Sequence, residues 1–178
     1  MTAYNSCRWD GFLLVAMLYC AYQIDRMWDN MSEYIVKVIP QKYDYHLESK
    51  RADCAATYLK EQLLAEHVEI ESYPAPVFVD CGSNLEVIRC PHCSSEIDFA
   101  WWGGAMNGVS GNGFSDLSVI TPCCQKESAL NELTYHYHCG FASSEIRIVN
   151  PSELFSREHQ TKIEELLGCS VAIIHAHM

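Results

Sequence analysis

A chain of 178 residues with 49% hydrophobic side chains can build one compact domain, so disordered and fibrous classes are excluded. Its formal net charge is −11, from 23 acidic and 12 basic residues. Because proteins bind a phosphate backbone through Lys and Arg, this balance disfavours nucleic acid as a partner and favours a basic protein.

The N-terminal apolar run covers residues 11–24 and is too short for a membrane span, which needs about twenty helical residues. Only Arg8 supplies positive charge before the run, and Asp10 offsets it, so a signal peptide is disfavoured. We expect residues 1–31 to be an N-terminal extension, either a short amphipathic helix or a loosely attached leader, and the protein to be cytoplasmic without a membrane segment.

Residues 32–80 have the pattern of a first β-α-β half. Residues 33–39 are rich in β-branched and aromatic side chains, and residues 49–66 repeat apolar positions every three or four residues, as an amphipathic helix does. A second strand follows, in which Pro74 and Pro76 predict an edge position or a bend.

The same order returns in residues 141–178. Residues 145–149 predict a strand, Ser156 and Gly168 are suited to cap a helix at its two ends, and residues 171–176 predict the last strand. The sequence therefore predicts an α+β fold, the ferredoxin-like plait, in which residues 81–140 form a module inserted between strands two and three.

That module contains two close pairs of thiols, Cys90 with Cys93 and Cys123 with Cys124. Two such pairs are typical of a tetrahedral, structural Zn²⁺ site, so we predict that these four cysteines bind zinc in a zinc ribbon. The second pair is adjacent instead of C-x2-C, and Thr121 occupies the position that would complete the spacing with Cys124.

Other ligand sets stay open at this point. His92, His136, His138 or Cys139 could replace one thiol, and alternation along a predicted strand at residues 134–138 puts the two later histidines on one face. The ten cysteines could also form a secreted disulfide framework, although paired spacing favours metal and reduced cytosolic thiols.

Trp101 and Trp102 precede a glycine-rich run at residues 103–113. This composition predicts a turn or short helix whose tryptophans cover a metal site too small to have its own core. The alternative is a recognition surface, since exposed Trp beside flexible Gly is suited to a protein interface.

The overall pattern resembles a group of small uncharacterised bacterial zinc-ribbon proteins. The matching motifs are C-P-x-C, W-W, F-x-D-L, P-C-C, L-N-x-L and G-F-A within residues 80–178. The resemblance implies a bacterial cytosolic protein with cysteine-bound zinc and brings no known reaction. Where that family pattern has Pro before Gly-Phe-Ala, this chain has Cys139.

The sequence contains no recognisable set of catalytic residues. Cys81 is interpreted as a bend residue, because no neighbouring base can be assigned to it. We therefore expect a non-enzymatic zinc-binding protein that acts through a protein partner, for example an immunity or inhibitor protein covering a basic nuclease. The alternatives are a zinc-dependent hydrolase with a Cys/His site and a nucleic-acid-binding zinc ribbon.

Overall fold

The computed structural model describes residues 33–178, so the predicted extension at residues 1–31 lies outside the described residues. The described chain is a mixed α+β structure with three α-helices and antiparallel sheets, and the predicted α+β class is confirmed. The chain forms a four-stranded sheet unit, and a module that connects two of its strands.

The sheet unit consists of four strands and two helices. In chain order they are β1 (Tyr34–Pro40), α1 (Ser49–Gln62), β2 (His67–Val79), β7 (Gly140–Val149), α3 (Arg157–Leu167) and β8 (Val171–His177). The strand order is β2-β7-β1-β8, and every neighbouring pair is antiparallel.

The sequence explains these positions in the sheet. β1 and β7 are the central strands, each paired along both edges, and almost all of their residues are buried. β1 is rich in β-branched apolar residues, whereas residues 143–145 of β7 are polar and still buried. β2 lies at an edge, where the missing N–H groups of Pro74 and Pro76 are tolerated, and its register with β7 shifts between Ser72 and Val77.

Both helices pack on one face of the sheet. Apolar side chains at three- and four-residue spacing on α1 and α3 meet the alternating side chains of β1 and β7. Each fully buried Val, Leu or Ile side chain stabilises the folded state by about 1.5–3 kcal/mol. The buried cluster consists of Val36, Val38, Ala55, Leu59, Leu63, Ala65, Ile146, Ile148, Ile163, Leu167 and Val171.

The predicted caps of α3 are present. The Ser156 hydroxyl accepts a hydrogen bond from the His159 amide at 3.3 Å, and Gly168 takes the left-handed conformation with φ 73°. These two residues fix where α3 begins and ends, and therefore where β8 enters the sheet.

Residues 81–139 connect β2 to β7 and are called the inserted module here. It contains β3 (Val87–Arg89), α2 (Phe99–Ser110), β4 (Ser118–Ile120), β5 (Glu127–Ala129), a 3-10 turn (Leu130–Glu132) and β6 (Thr134–His136). β3 pairs with β6, and β4 pairs with β5, both antiparallel. Because β2 and β7 are themselves neighbours, the module leaves and re-enters the sheet at one end of a hairpin.

The inserted module has an apolar core, so the expectation that it lacks one is wrong. Its buried residues are Ile88, Cys90, Ile97, Leu117, Leu130 and Leu133, and Phe141 of β7 belongs to the same cluster. The core is built from loops and three-residue strands, which is why no periodic pattern in the sequence signals it.

Candidate metal centre

The structure brings the four predicted thiols together. The Sγ atoms of Cys90, Cys93, Cys123 and Cys124 all lie within 4.8 Å of one another. The Sγ–Sγ distance is 3.3 Å between Cys93 and Cys123 and 3.7 Å between Cys90 and Cys124. Tetrahedral zinc with Zn–S bonds of about 2.3 Å requires Sγ–Sγ distances of about 3.8 Å, so these four cysteines can hold a metal ion.

A tight turn positions the first pair at the end of β3. The Cys90 amide donates to the Ser95 carbonyl at 2.9 Å, and the Ser94 amide donates to the Cys90 carbonyl at 3.0 Å. Ser94 is left-handed with φ 59°, which turns the chain back. The His92 amide points at the Cys90 sulfur at 3.4 Å, the kind of N–H···S contact that stabilises a thiolate.

A second turn, at the end of β4, has the same backbone hydrogen bonds and left-handed residue as the first turn. The Thr121 amide donates to the Lys126 carbonyl at 2.9 Å, and the Gln125 amide donates to the Thr121 carbonyl at 3.0 Å. Gln125 is left-handed with φ 56°, in the position that Ser94 has in the first turn. The two turns therefore have the same hydrogen-bonding pattern on either side of the four thiols.

This repeat explains the irregular spacing of the second pair. Thr121 stands where the first turn has Cys90, and Cys123 stands where it has His92. The Thr121 hydroxyl is fully buried and lies 3.3 Å from the Cys124 sulfur. In the second turn the ligand is therefore Cys123, two positions after the one that corresponds to Cys90, and the Thr121 hydroxyl occupies that corresponding position.

Hydrogen bonds shift the pKa values of three of these thiols in different directions. Contact with the Ser95 side chain, and then with its backbone, lowers the pKa of Cys93 to about 6. Burial alone would raise the pKa of Cys90, but the amides of His92 and Cys93 outweigh it and lower that pKa. The side-chain contact with Cys93 raises the pKa of Cys123 to about 12. Negative charge is therefore favoured on the first turn, and a bound cation would draw the proton from Cys123.

The four thiols also differ in exposure. Cys90 is buried and Cys124 is half-buried, whereas Cys93 and Cys123 are exposed. The centre therefore has a side packed against the module's core and a side open to solvent.

The other ligands considered lie elsewhere. The His92 ring nitrogen Nε2 is 2.9 Å from the Glu127 carbonyl, and His136 Nδ1 is 3.8 Å from a Glu86 carboxylate oxygen. Within residues 33–178, the metal-compatible cluster consists of the four cysteines alone. Cys139 lies instead against Cys81, a contact that no sequence pattern predicts.

The prediction that His136 and His138 share one face of a strand is wrong. β6 ends at His136, and Tyr137 is left-handed with φ 60°, which breaks the alternation. The backbone turns between the two histidines, so the spacing that suggested a metal pair does not persist.

The tryptophans belong to a helix and pack inward. Asp98 caps α2, its Oδ1 accepting from the Ala100 amide at 2.7 Å. Trp102 donates from Nε1 to the Tyr135 hydroxyl at 3.2 Å and packs edge-on against Phe78 of β2. Trp101 and Trp102 are both half-buried against the cluster that contains Cys90, which favours the covering role over an exposed recognition surface.

Comparisons with protein families, with curated proteins and with solved structures found no match. The resemblance to bacterial zinc-ribbon proteins therefore stays a prediction. In the part of the chain that the structure describes, none of the helices combines the length and the apolar character needed to cross a bilayer.

Proposed function

We propose that the four thiols bind one structural Zn²⁺ and that the chain is a ferredoxin-like plait with a zinc ribbon inserted between its second and third strands. The convergence of the four Sγ atoms within 4.8 Å carries this proposal. The strand order β2-β7-β1-β8, with both helices on one face, supports the plait. The repeated turns at Cys90 and Thr121 support the ribbon.

The centre is suited to structure and not to catalysis. Four thiolates fill a tetrahedral shell, whereas a catalytic zinc is held by three protein ligands with His or carboxylate among them and keeps a place for water. Among the described residues, no histidine or carboxylate joins the four sulfurs in the metal-compatible cluster. The protein is accordingly proposed to be non-enzymatic.

Metal analysis combined with thiol counting tests this centre. The protein as purified should carry one zinc per chain, and a native alkylation experiment should show Cys90, Cys93, Cys123 and Cys124 protected until a chelator is added. Protection of only two or three of these thiols, together with an exchangeable water on the ion, would support the Cys/His hydrolase instead.

The proposed role is binding of a basic protein by an acidic surface. All six carboxylates of the inserted module are exposed, and only Arg89 and Lys126 oppose them. Such a field attracts a positively charged partner and repels nucleic acid. The acidic residues are Glu86, Glu96, Asp98, Asp116, Glu127 and Glu132. An immunity or inhibitor protein of the cytoplasm, covering a basic nuclease, fits this charge.

Binding to a panel of purified basic nucleases tests the role. We expect a complex that weakens steeply with salt, and Glu96→Lys with Asp116→Lys should slow association about tenfold. The matched control is Glu153→Lys with Glu158→Lys, which changes the charge equally near α3. Absence of any salt-sensitive complex at low ionic strength contradicts the role, and a gel shift with nucleic acid would favour the third alternative.

A further inference from the structure

A second pair of thiols lies at the base of the inserted module. The Cys139 and Cys81 sulfurs are 3.2 Å apart, and both residues are buried, with exposures of 4% and 0%. Cys81 is the first residue of the module and Cys139 is the last. The pair therefore joins the two points at which the chain leaves and re-enters the sheet.

The backbone around this pair is fixed from three sides. The β2–β7 ladder ends at Val79 opposite Gly140, one or two residues away from each thiol. Gly82 forms a bridge with His177 of β8, and its amide donates to Asp80 Oδ1 at 2.7 Å. The two sulfurs are thus held in contact by secondary structure and not by a flexible loop.

The surroundings are apolar and contain few polar partners. The buried residues that pack with the pair are Ile39, Val79, Ala142 and Ile174. The Tyr137 carbonyl lies 3.6 Å from the Cys139 sulfur and 3.9 Å from the Cys81 sulfur. The pair is separate from the four thiols of the metal centre, so zinc binding does not account for it.

We propose that Cys81 and Cys139 are a site of reversible disulfide formation that closes the inserted module at its base. Forming the Sγ–Sγ bond breaks two S–H bonds and releases two protons and two electrons. Hydrogen peroxide can accept the two protons and two electrons and form two waters. Oxidised glutathione can accept them instead and form two molecules of reduced glutathione. A dithiol reductant reverses the step.

The geometry allows this bond with little movement. A disulfide is about 2.05 Å long, so the sulfurs need to approach by roughly 1 Å, which side-chain rotation can supply. Burial raises the pKa of Cys139 to about 12. Because the thiolate is the reacting species, the bond forms slowly at neutral pH and, once formed, is shielded from reductants.

A tryptic map of the zinc-loaded protein can test the proposal without ambiguity. Cleavage after Lys60, Arg89, Lys126 and Arg147 places Cys81 in peptide 61–89 and Cys139 in peptide 127–147. All four metal-centre thiols lie in peptide 90–126 between them. Full-length protein is incubated with oxidised and reduced glutathione, alkylated in denaturant with a chelator, digested and analysed by mass spectrometry.

We expect a cross-linked species made of peptides 61–89 and 127–147, its amount rising with oxidised glutathione and falling after dithiothreitol. The Cys139→Ser variant should lose this species, and the Cys54→Ser variant, which removes an exposed thiol on α1, should retain it. Because glutathione reaches the buried thiols slowly in the folded protein, the denatured protein is also refolded with zinc in the same buffers, so that both thiols are accessible before the fold closes. Absence of the cross-link from both the folded and the refolded direction overturns the proposal.

Discussion

The sheet unit and the inserted module hold their shape by different means. The strands of the sheet unit are 7, 13, 10 and 7 residues long, and its helices bury Leu59, Ile163 and Leu167 completely or nearly so. Each of the module's four strands has three residues, and α2 has no fully buried side chain. The sheet unit therefore rests on long strands and buried helix faces, whereas the module has short strands and a smaller core.

Local hydrogen bonds and aromatic contacts stabilise the module. Two hydrogen-bonded turns present the thiols. Trp102 of α2 packs edge-on against Phe78 of β2, and Phe114, which follows α2, packs against Phe141 of β7. A structural metal is the usual remedy where a small region cannot bury enough apolar surface.

Loss of one buried ligand should unfold the module and spare the sheet. In Cys90→Ser we expect zinc to fall from one equivalent to nearly none, because structural zinc contributes on the order of 10 kcal/mol to such small modules. Tryptic cleavage at Arg89 and Lys126 should accelerate at least tenfold, while the far-UV signal of the sheet unit persists. Cys54→Ser is the control, and an unchanged cleavage rate in Cys90→Ser would contradict the contrast.

The repeated turn predicts a rescue. Cys123→Ala should lose zinc, and adding Thr121→Cys should restore one equivalent, since position 121 in the second turn corresponds to Cys90 in the first. Competition with a chromophoric chelator measures both affinities. If the double variant binds no more tightly than Cys123→Ala, the two turns are not equivalent as ligand frames.

Two leucines allow a matched comparison of the two cores. Leu59 and Leu130 are both 0% exposed, and each change to Ala should cost about 2–5 kcal/mol in its own region. Urea unfolding with and without a chelator should show Leu59→Ala destabilising the protein in both conditions. Leu130→Ala should lower the free energy of unfolding only when zinc is present. An equal decrease in zinc-free protein would mean that the module folds without metal.

The junction between the two regions is sensitive at Gly82. Its φ is +66°, and an added Cβ would lie 2.2 Å from the His177 carbonyl oxygen, so Gly82→Ala should cost about 1–3 kcal/mol. Gly104→Ala is the control, since that position is helical with open space, and it should stabilise α2 by about 0.5–1 kcal/mol. Thermal unfolding measures both, and a neutral Gly82→Ala would refute the close approach.

The smallest expected effect is a pH dependence in the sheet unit. Burial, and then the charge of His177, lowers the pKa of His175 below its ordinary value near 6.5. As pH falls through that value the unfolded chain binds the proton first, so the free energy of unfolding decreases towards lower pH. The effect is small because the ring is partly exposed. His175→Gln should show a shallower loss of stability between pH 7.5 and 5.5 in urea titrations.

The sequence predicts the sheet unit well because each of its elements has a local signal. β-Branched and aromatic composition predicts β1, three- to four-residue spacing predicts α1, and the caps Ser156 and Gly168 predict α3. The predicted strand at residues 145–149 was too short, since β7 begins at Gly140. Residues 140–144 have small and polar side chains, and pairing with residues 77–79 of β2, a tertiary contact, is what extends the strand.

The module was harder to predict. Spacing alone singled out the four thiols, and Asp98 offered a cap signal for α2 that the glycines obscured. Proline followed by the same two-residue step to a cysteine, at Pro91 and Pro122, was a signal for the repeated turn. The Cys81–Cys139 contact had no local signal, because it joins positions 58 residues apart.

The uneven exposure of the thiols gives the centre a direction for ligand exchange. If an ion is bound, a competing chelator would reach it past Cys93 and Cys123 while Cys90 still held it from the interior. Loss of the metal would then proceed by stepwise replacement of sulfurs, at a rate that depends on the competitor's concentration and not on global unfolding. Such a centre would be kinetically open to metal donors and acceptors on one side while it anchored the chain on the other.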